Sequence, residues 1–256
     1  MIFSLRLCLV IGLMTILVGC AAPSMGTRPV ADVASDPKAA ELNMRLGINY
    51  MQRGDYEIAL EKLQKALTQN PNLASAHNTI ALLYQTLKQI DQAEYHFKQA
   101  ITRQTNYSSA HNNYGVFLCQ QGQFNEAEQQ FLEAIKNPLY TSVAQAYENA
   151  GLCVGRIPDA TLAESYFRKA LQLEPRLAKS LVNMAELSYL DIDYESALAY
   201  IKRYQQAAQW TPKALLVAIK IVNRLNDPNA VASYALLLKA KFPDSDEALA
   251  VKKGLY

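Results

Sequence analysis

Residues 40–73 read AELNMRLGINYMQRGDYEIALEKLQKALTQNPNL, and residues 74–107 read ASAHNTIALLYQTLKQIDQAEYHFKQAITRQTNY. With Ala40 and Ala74 each set as position 1, the two stretches place the same kinds of residue in the same slots. Small residues stand at position 8 (Gly47, Ala81), position 20 (Ala59, Ala93) and position 27 (Ala66, Ala100). Large ones stand at position 7 (Leu46, Ile80), position 11 (Tyr50, Tyr84) and position 24 (Leu63, Phe97). Steps of three, four and seven within each half are the period of an amphipathic helix. The small residues let two antiparallel helices approach closely, and the large ones fill the gap between them. Pro71, at position 32, ends the second helix because it lacks an amide hydrogen and clashes with the preceding turn.

The pattern continues along the chain. A third unit from Ser108 carries Gly115, Leu118, Ala127, Phe131 and Ala134. A two-residue insertion around Asn137-Pro138-Leu139-Tyr140 moves the fourth start to Ala144, with Gly151, Ala163, Phe167, Ala170 and Pro175 following. The fifth unit, from Ala178, has Ala185, Ala197 and Ile201 but places the bulky Tyr204 where a small residue is usual. A degenerate sixth unit ends at Phe242-Pro243. The spacing matches the tetratricopeptide signature of about 34 residues. The expected fold is therefore all-α: a right-handed superhelical solenoid of about six helix-turn-helix repeats, near residues 40–73, 74–107, 108–143, 144–177, 178–211 and 212–243. Residues 244–256 are expected to form a short capping helix. No strand-like alternation interrupts the pattern.

Ahead of the repeats lies a different kind of sequence. Arg6 is followed by an almost wholly apolar run from Leu7 to Val18. That run is shorter than the roughly 20 residues a membrane-spanning helix needs, and it fits the apolar core of an export signal. The run closes on Leu17-Val18-Gly19-Cys20, which resembles the lipobox of bacterial lipoproteins. The resemblance implies cleavage before Cys20, a diacylglyceryl group on its thiol and acylation of the new amino terminus. Several acyl chains, at ~0.8 kcal/mol per buried CH₂, give a lasting anchor where one chain would not. The residue after the cysteine is Ala21 rather than Asp, which in lipoproteins favours the outer membrane. Residues 1–19 are thus expected to be a signal peptide and residues 20–38 a lipidated cysteine and flexible tether. Pro23, Gly26, Pro29 and Pro37 fall within that tether, with no apolar periodicity. At ~3.3–3.6 Å per residue it would reach roughly 60 Å when extended.

Composition excludes more than it assigns. Twenty-five basic residues against 23 acidic ones give a formal charge of +2, which offers no basis for nucleic-acid binding. No nucleophile elbow, phosphate-binding loop or two-cysteine metal motif is present, so no catalysis, cofactor or small-molecule substrate is expected. Of three histidines, His77 and His111 both occupy position 4 of adjacent units. That slot belongs to interhelix packing; a metal pair would lack an evident third ligand.

Binding is the expected activity. In such solenoids the first helix of each repeat lines the concave face, through positions 2, 5, 6, 9, 12 and 13. Position 6 is Asn113, Asn149 and Asn183 in units three to five, a row of amides able both to donate to and accept from an extended peptide. Asn78 and Asn112 stand at the neighbouring position 5 of units two and three. Units one and two lack the row, having Arg45 and Thr79 at position 6. Their inward slots are more apolar: Met44, Ile48 and Met51 in unit one and Leu82 in unit two. If exposed, these would suit an apolar partner segment; the alternative is packing against the next helix. Lys179 and Asn183 form K-x-x-x-N, part of the carboxylate clamp of chaperone-binding tetratricopeptide domains, whose other positions do not match here. Loss of Cys8 with the signal and acylation of Cys20 leave Cys119 and Cys153, on first helices of consecutive units. A disulfide between them would close a loop of about 34 residues and add ~2–4 kcal/mol; the alternative is two small buried thiols.

A closer resemblance rests on His111-Asn112-Asn113-Tyr114-Gly115-Val116-Phe117-Leu118-Cys119, Gly122-Gln123-Phe124, Asn137-Pro138-Leu139-Tyr140 and Glu148-Asn149-Ala150-Gly151-Leu152-Cys153. Tyr234-Ala235-Leu236-Leu237-Leu238 and Phe242-Pro243-Asp244-Ser245 extend it toward the end of the chain. These segments resemble the PilW/PilF family of type IV pilus biogenesis lipoproteins. The resemblance implies a pilotin at the periplasmic face of the outer membrane, held there by its lipid. Such a protein helps the pilus secretin reach that membrane and multimerise, with other pilus assembly proteins as further partners. A lipid-anchored adaptor for peptidoglycan enzymes or outer-membrane protein assembly is the other reading.

Overall fold

The structure is a computed structural model, and it describes residues 36–156 and 160–254. Cys20 and the signal and tether segments up to residue 35 lie outside the described residues.

The described chain is helical throughout. Its helices pair as α1 (Pro37–Arg53) with α2 (Tyr56–Gln69), α3 (Ala74–Thr86) with α4 (Ile90–Arg103), and α5 (Ser108–Gln120) with α6 (Phe124–Ile135). Next come α7 (Val143–Val154) with α8 (Ala160–Leu173), α9 (Ala178–Leu190) with α10 (Tyr194–Ala207), and α11 (Pro212–Arg224) with α12 (Pro228–Lys241). A final short helix, α13 (Asp246–Lys252), packs on α11 and α12. Each pair contacts the pairs before and after it, as a solenoid requires.

The slots read from the sequence are the slots of the core. Leu63, Phe97, Phe131, Phe167 and Ile201, all at position 24, are almost fully buried. Leu63, Phe131 and Phe167 each lie against a glycine of the first helix. A β-carbon on Gly115 would stand 2.7 Å from Phe131 Cε1, and one on Gly47 would stand 2.5 Å from Leu63 Cγ. Phe97 also stacks on Tyr114 at 5.6 Å between ring centres and meets Phe117 at 5.3 Å, which joins the second repeat to the third.

In the first three and last two repeats the turn between the paired helices places position 15 in the left-handed region. Gly54 and Gly122 adopt it without cost, at φ 84° and 79°. Lys88, Asn226 and Ile192 fill the same slot at φ 58°, 55° and 66°. Ile192 is β-branched, so this conformation is strained there.

Tyr204, which breaks the small-residue rule, has a specific place. It is buried, its hydroxyl donates to Gln209 O at 2.8 Å, and its ring meets Trp210 at 5.5 Å. The ring thereby packs where α10 hands over to α11. Helix starts are marked by local caps: Asp36, Asp193, Thr211, Asp227 and Ser245 each accept an amide hydrogen of the first turn.

The first repeat is the exception to burial. Positions 3 and 7 of α1 are Leu42 and Leu46, which are 59% and 36% exposed. The same positions in later repeats, such as Ala76 and Ile80 or Ser180 and Met184, are buried against the preceding pair. Helix α1 has no preceding pair among the described residues.

Candidate functional site

The first helices α3, α5, α7, α9 and α11 stand side by side and carry two ladders of cross-repeat hydrogen bonds. One ladder joins position 6 of a repeat to position 5 of the repeat before. Asn113 Nδ2 donates to Asn78 Oδ1 at 3.2 Å, and Asn149 Nδ2 donates to Asn112 Oδ1 at 3.0 Å. The other joins positions 12 and 13. Gln85 Nε2 donates to Gln120 Oε1 at 2.8 Å, Arg156 Nη1 to Cys119 O at 3.4 Å, and Arg224 Nε to the Tyr189 hydroxyl at 3.3 Å. Between the ladders runs position 9: half-buried Leu82, Val116 and Leu152, then Glu186 and Lys220.

In the asparagine row, the amides of Asn113 and Asn149 each commit one of their two N–H hydrogens to the repeat before and keep the second. Their Oδ1 atoms keep acceptor capacity toward the concave surface. Asn183 stands apart: its Nδ2 donates to Lys179 O at 2.7 Å, and its Oδ1 accepts from Lys213 Nζ at 3.4 Å. Its amide therefore serves its own helix rather than an asparagine neighbour.

The apolar residues of the first repeats are partly covered. Met44 and Met51 are half-buried and pack against the cluster of Ala59, Leu63, Ile80 and Leu83; Leu82 packs against the central core. Ile48 is half-buried too. A flexible methionine fills gaps between successive pairs, so Met44 and Met51 help join the first two repeats while part of each surface stays exposed.

A groove pocket of about 520 Å³ lies where repeats four, five and six meet. Leu152, Leu187 and Leu190 form its apolar wall, with Arg156, Glu186 and Lys213 around it. Lys213 Nζ pairs with Glu186 Oε2 at 2.7 Å. Beneath it, buried Glu148 accepts from both the amide and the hydroxyl of Ser180, at 3.0 and 2.9 Å. This bond stitches α7 to α9 and keeps the Glu148 carboxylate turned inward.

The cysteines meet. Cys119 of α5 and Cys153 of α7 form a disulfide, with Cα atoms 5.7 Å apart.

The histidines do not pair as a metal site across units. Each meets the second helix of its own repeat through Nδ1 and a carbonyl at the end of the repeat before through Nε2. His111 Nδ1 meets Gln130 Oε1 at 2.8 Å and its Nε2 meets Thr105 O at 2.9 Å. His77 Nε2 meets Pro71 O at 3.2 Å, and its Nδ1 lies 3.0 Å from His96 Nδ1. Among the described residues, no group of three or more side chains could hold a metal ion.

Comparison with known proteins places this geometry. Tetratricopeptide repeat models match residues 38–106, 96–129 and 118–178. The type IV pilus assembly protein PilF of Pseudomonas aeruginosa is 32% identical over 244 residues, covering 95% of this chain and 96% of its own length. The chain belongs to the PilF and PilW family. A solved structure of Pseudomonas aeruginosa PilF superposes with a TM-score of 0.79 at 31% identity, over 85% of this chain and 98% of that one. That of PilW, a widely conserved type IV pilus biogenesis factor, gives 0.77 at 29%, over 85% and 100%. The tetratricopeptide protein YrrB, at 16% identity and a TM-score of 0.58, shares the fold alone.

In this PilF and PilW chain the His77–His96 contact makes an acid-sensitive joint. The Pro71 carbonyl can only accept, so His77 Nε2 carries its hydrogen and Nδ1 presents a lone pair to the N–H of His96. Protonation of the pair sets hydrogen against hydrogen. Burial, then the neighbouring His77, pushes His96 down to about 4, and burial also lowers His77. Both shifts are depressions. The stability they contribute is present above the unfolded value near 6.5 and is lost as pH falls toward 4. Discounted for partial exposure, this is on the order of 1–2 kcal/mol. His96→Gln installs in the second repeat the His–Gln pair of the third. It is expected to flatten this part of the acid limb in urea midpoints taken between pH 7 and 4; an unchanged slope would refute the assignment.

Proposed function

We propose that this protein serves type IV pilus biogenesis as a pilotin, a lipid-anchored outer-membrane protein that promotes localisation and multimerisation of the secretin by binding part of it on the concave face. The observation that carries the reading is the match to PilF across 95% of this chain. The concave face suits the task. Its two ladders hold the first helices in register, leaving acceptor oxygens and a half-buried apolar strip for an extended segment. Acylation at Cys20 would confine the solenoid to the membrane surface. Each captured secretin chain would then meet others at a raised effective concentration. Such a role needs no bond made or broken, and so no catalytic residue.

Deleting the gene in its host tests this, with the secretin immunoblotted from separated membranes before and after heat dissociation. The expected result is loss of the heat-resistant multimer, or its appearance in the inner membrane. Cys20→Ala is expected to give the same defect and to shift the chain out of the membrane fraction. Normal secretin multimers in the outer membrane of the deletion strain, with normal pili, would replace this reading with that of a general lipid-anchored adaptor.

A further inference from the structure

The concave face changes character along its length. At the inward positions of repeats two and three the side chains are uncharged: Ser75, Asn78 and Thr79 are followed by Asn112, Asn113 and Val116. From repeat four onward cations dominate. Arg156 lies just past the end of α7, Lys179 stands at the start of α9, and Lys213, Lys220 and Arg224 follow on α11. The carboxylates at inward positions there are Glu148 and Glu186. Glu148 is buried and held by Ser180, and Glu186 is paired with Lys213. Among the described residues, Arg156, Lys179, Lys220 and Arg224 have no carboxylate partner.

Of these cations, Arg156 and the Glu186-paired Lys213 line the 520 Å³ pocket, whose wall of Leu152, Leu187 and Leu190 is apolar, while Lys179, Lys220 and Arg224 stand at other inward positions of α9 and α11. Leu190 is 67% exposed, and Ile192, two residues on, is 72% exposed while held at φ 66°. A β-branched residue in the left-handed region costs folding free energy, and the exposed leucine two residues before it gains none from burial within the chain. The strained turn thus lies two residues from the exposed leucine of the pocket wall.

We infer that repeats four to six form a binding site for an acidic, extended peptide segment that places one large apolar side chain in this pocket. Arg156 faces the acidic residues on one side of the anchor, and Lys179, Lys213, Lys220 and Arg224 face those on the other. The apolar anchor covers Leu152, Leu187 and Leu190, while the flanking carboxylates neutralise cations that lack partners. Opposite charge at such a rim speeds encounter and selects the partner, and the buried anchor slows release. The inference rests on the concave face being the ligand face of the proposed pilotin, and it names the chemistry recognised there.

The test uses the full-length chain in detergent and fluorescein-labelled nine-residue peptides, read by anisotropy. The probe carries a central Phe flanked on both sides by Asp and Glu; one control replaces the acids with Lys, another replaces Phe with Ser. The acidic Phe peptide is expected to bind at least about tenfold more tightly than either control, equivalent to ~1.4 kcal/mol, and to weaken as salt is raised. Lys179→Glu and Arg224→Glu are each expected to weaken it by about tenfold. Lys202→Glu and Lys239→Glu, on the second helices α10 and α12, should leave it unchanged. Equal binding of acidic and basic peptides, equal losses from the α10 and α12 reversals, or no binding at all would overturn the inference. A chain that fails this test while the deletion strain still loses its secretin multimers would keep the pilotin reading and lose only the acidic-segment site.

Discussion

Phe131→Ala is expected to lower the stability of the solenoid by about 3–5 kcal/mol, at the upper end of that range. The ring is 1% exposed, and its Cε1 and Cδ1 occupy the space above Gly115, where a β-carbon would lie within 2.8 Å of both. The residues around it are poor at closing a hole. Gly115 has no side chain, and Ala127 and Ala134, both fully buried, offer one methyl each. The cavity left by the ring would therefore persist rather than collapse. Urea denaturation followed by circular dichroism measures the loss. Gly115→Leu sharpens the test, because alone it drives a side chain into the ring and is also expected to destabilise, by about 1–3 kcal/mol. In the Phe131→Ala background the same leucine enters the vacated space. The double variant should be more stable than Phe131→Ala alone, with a coupling energy between the two sites of about 1 kcal/mol or more. Simple additivity would mean that the ring and the glycine do not form one packing unit.

That pair also shows why so much of the fold could be read before any coordinate. Gly115 and Phe131 are 16 residues apart, on two helices joined by a short turn, and their sizes are complementary. The same complement recurs as Gly47 with Leu63 and Gly151 with Phe167. A constraint that lies within one repeat leaves its mark in every repeat, so periodicity exposes it. Tyr204 is the instructive departure. Its size at position 27 marks the sixth pair as differently docked, but only the structure shows Trp210 as its neighbour.

The site was less legible, because its interactions run between repeats and between side chains of mixed type. The amides of Asn113 and Asn149 reach the first helix of the repeat before. Nothing in the spacing says that they donate to Asn78 and Asn112. Pairs such as Gln85 with Gln120 and Arg224 with Tyr189, each 35 residues apart, form the second ladder and share no residue type. His77 was readable as a packing residue, whereas its partner His96 sits at a slot that holds Gln130 one repeat later. The strain at Ile192 was hidden for a different reason. Glycine advertises a left-handed turn, as at Gly54 and Gly122; an isoleucine in the same position of the same repeat does not.

Reduction of the Cys119–Cys153 bridge is expected to cost about 2–4 kcal/mol, because a closed loop of 34 residues loses its constraint in the unfolded chain. Its place in the solenoid makes the consequence more than additive to stability. Each repeat is held only by its neighbours, and cooperativity passes through every junction in turn. The junction between the third and fourth repeats is the irregular one, since the insertion at Asn137–Tyr140 lengthens the link from α6 to α7. The bridge spans that junction directly, from α5 to α7. Arg156 Nη1 reaches the Cys119 carbonyl at the same place, so the covalent link also fixes one wall of the cationic pocket. Urea unfolding with and without dithiothreitol measures the effect, and the Cys119→Ala, Cys153→Ala double variant serves as the reference. The oxidised chain should unfold in one transition. The reduced chain and the double variant should unfold earlier and over a broader range, as the two ends of the solenoid uncouple, with the double variant unaffected by reductant. Coincident curves for the oxidised and reduced chain would show that noncovalent packing alone carries this junction. The bridge would then have no part in holding the two halves of the concave face in register.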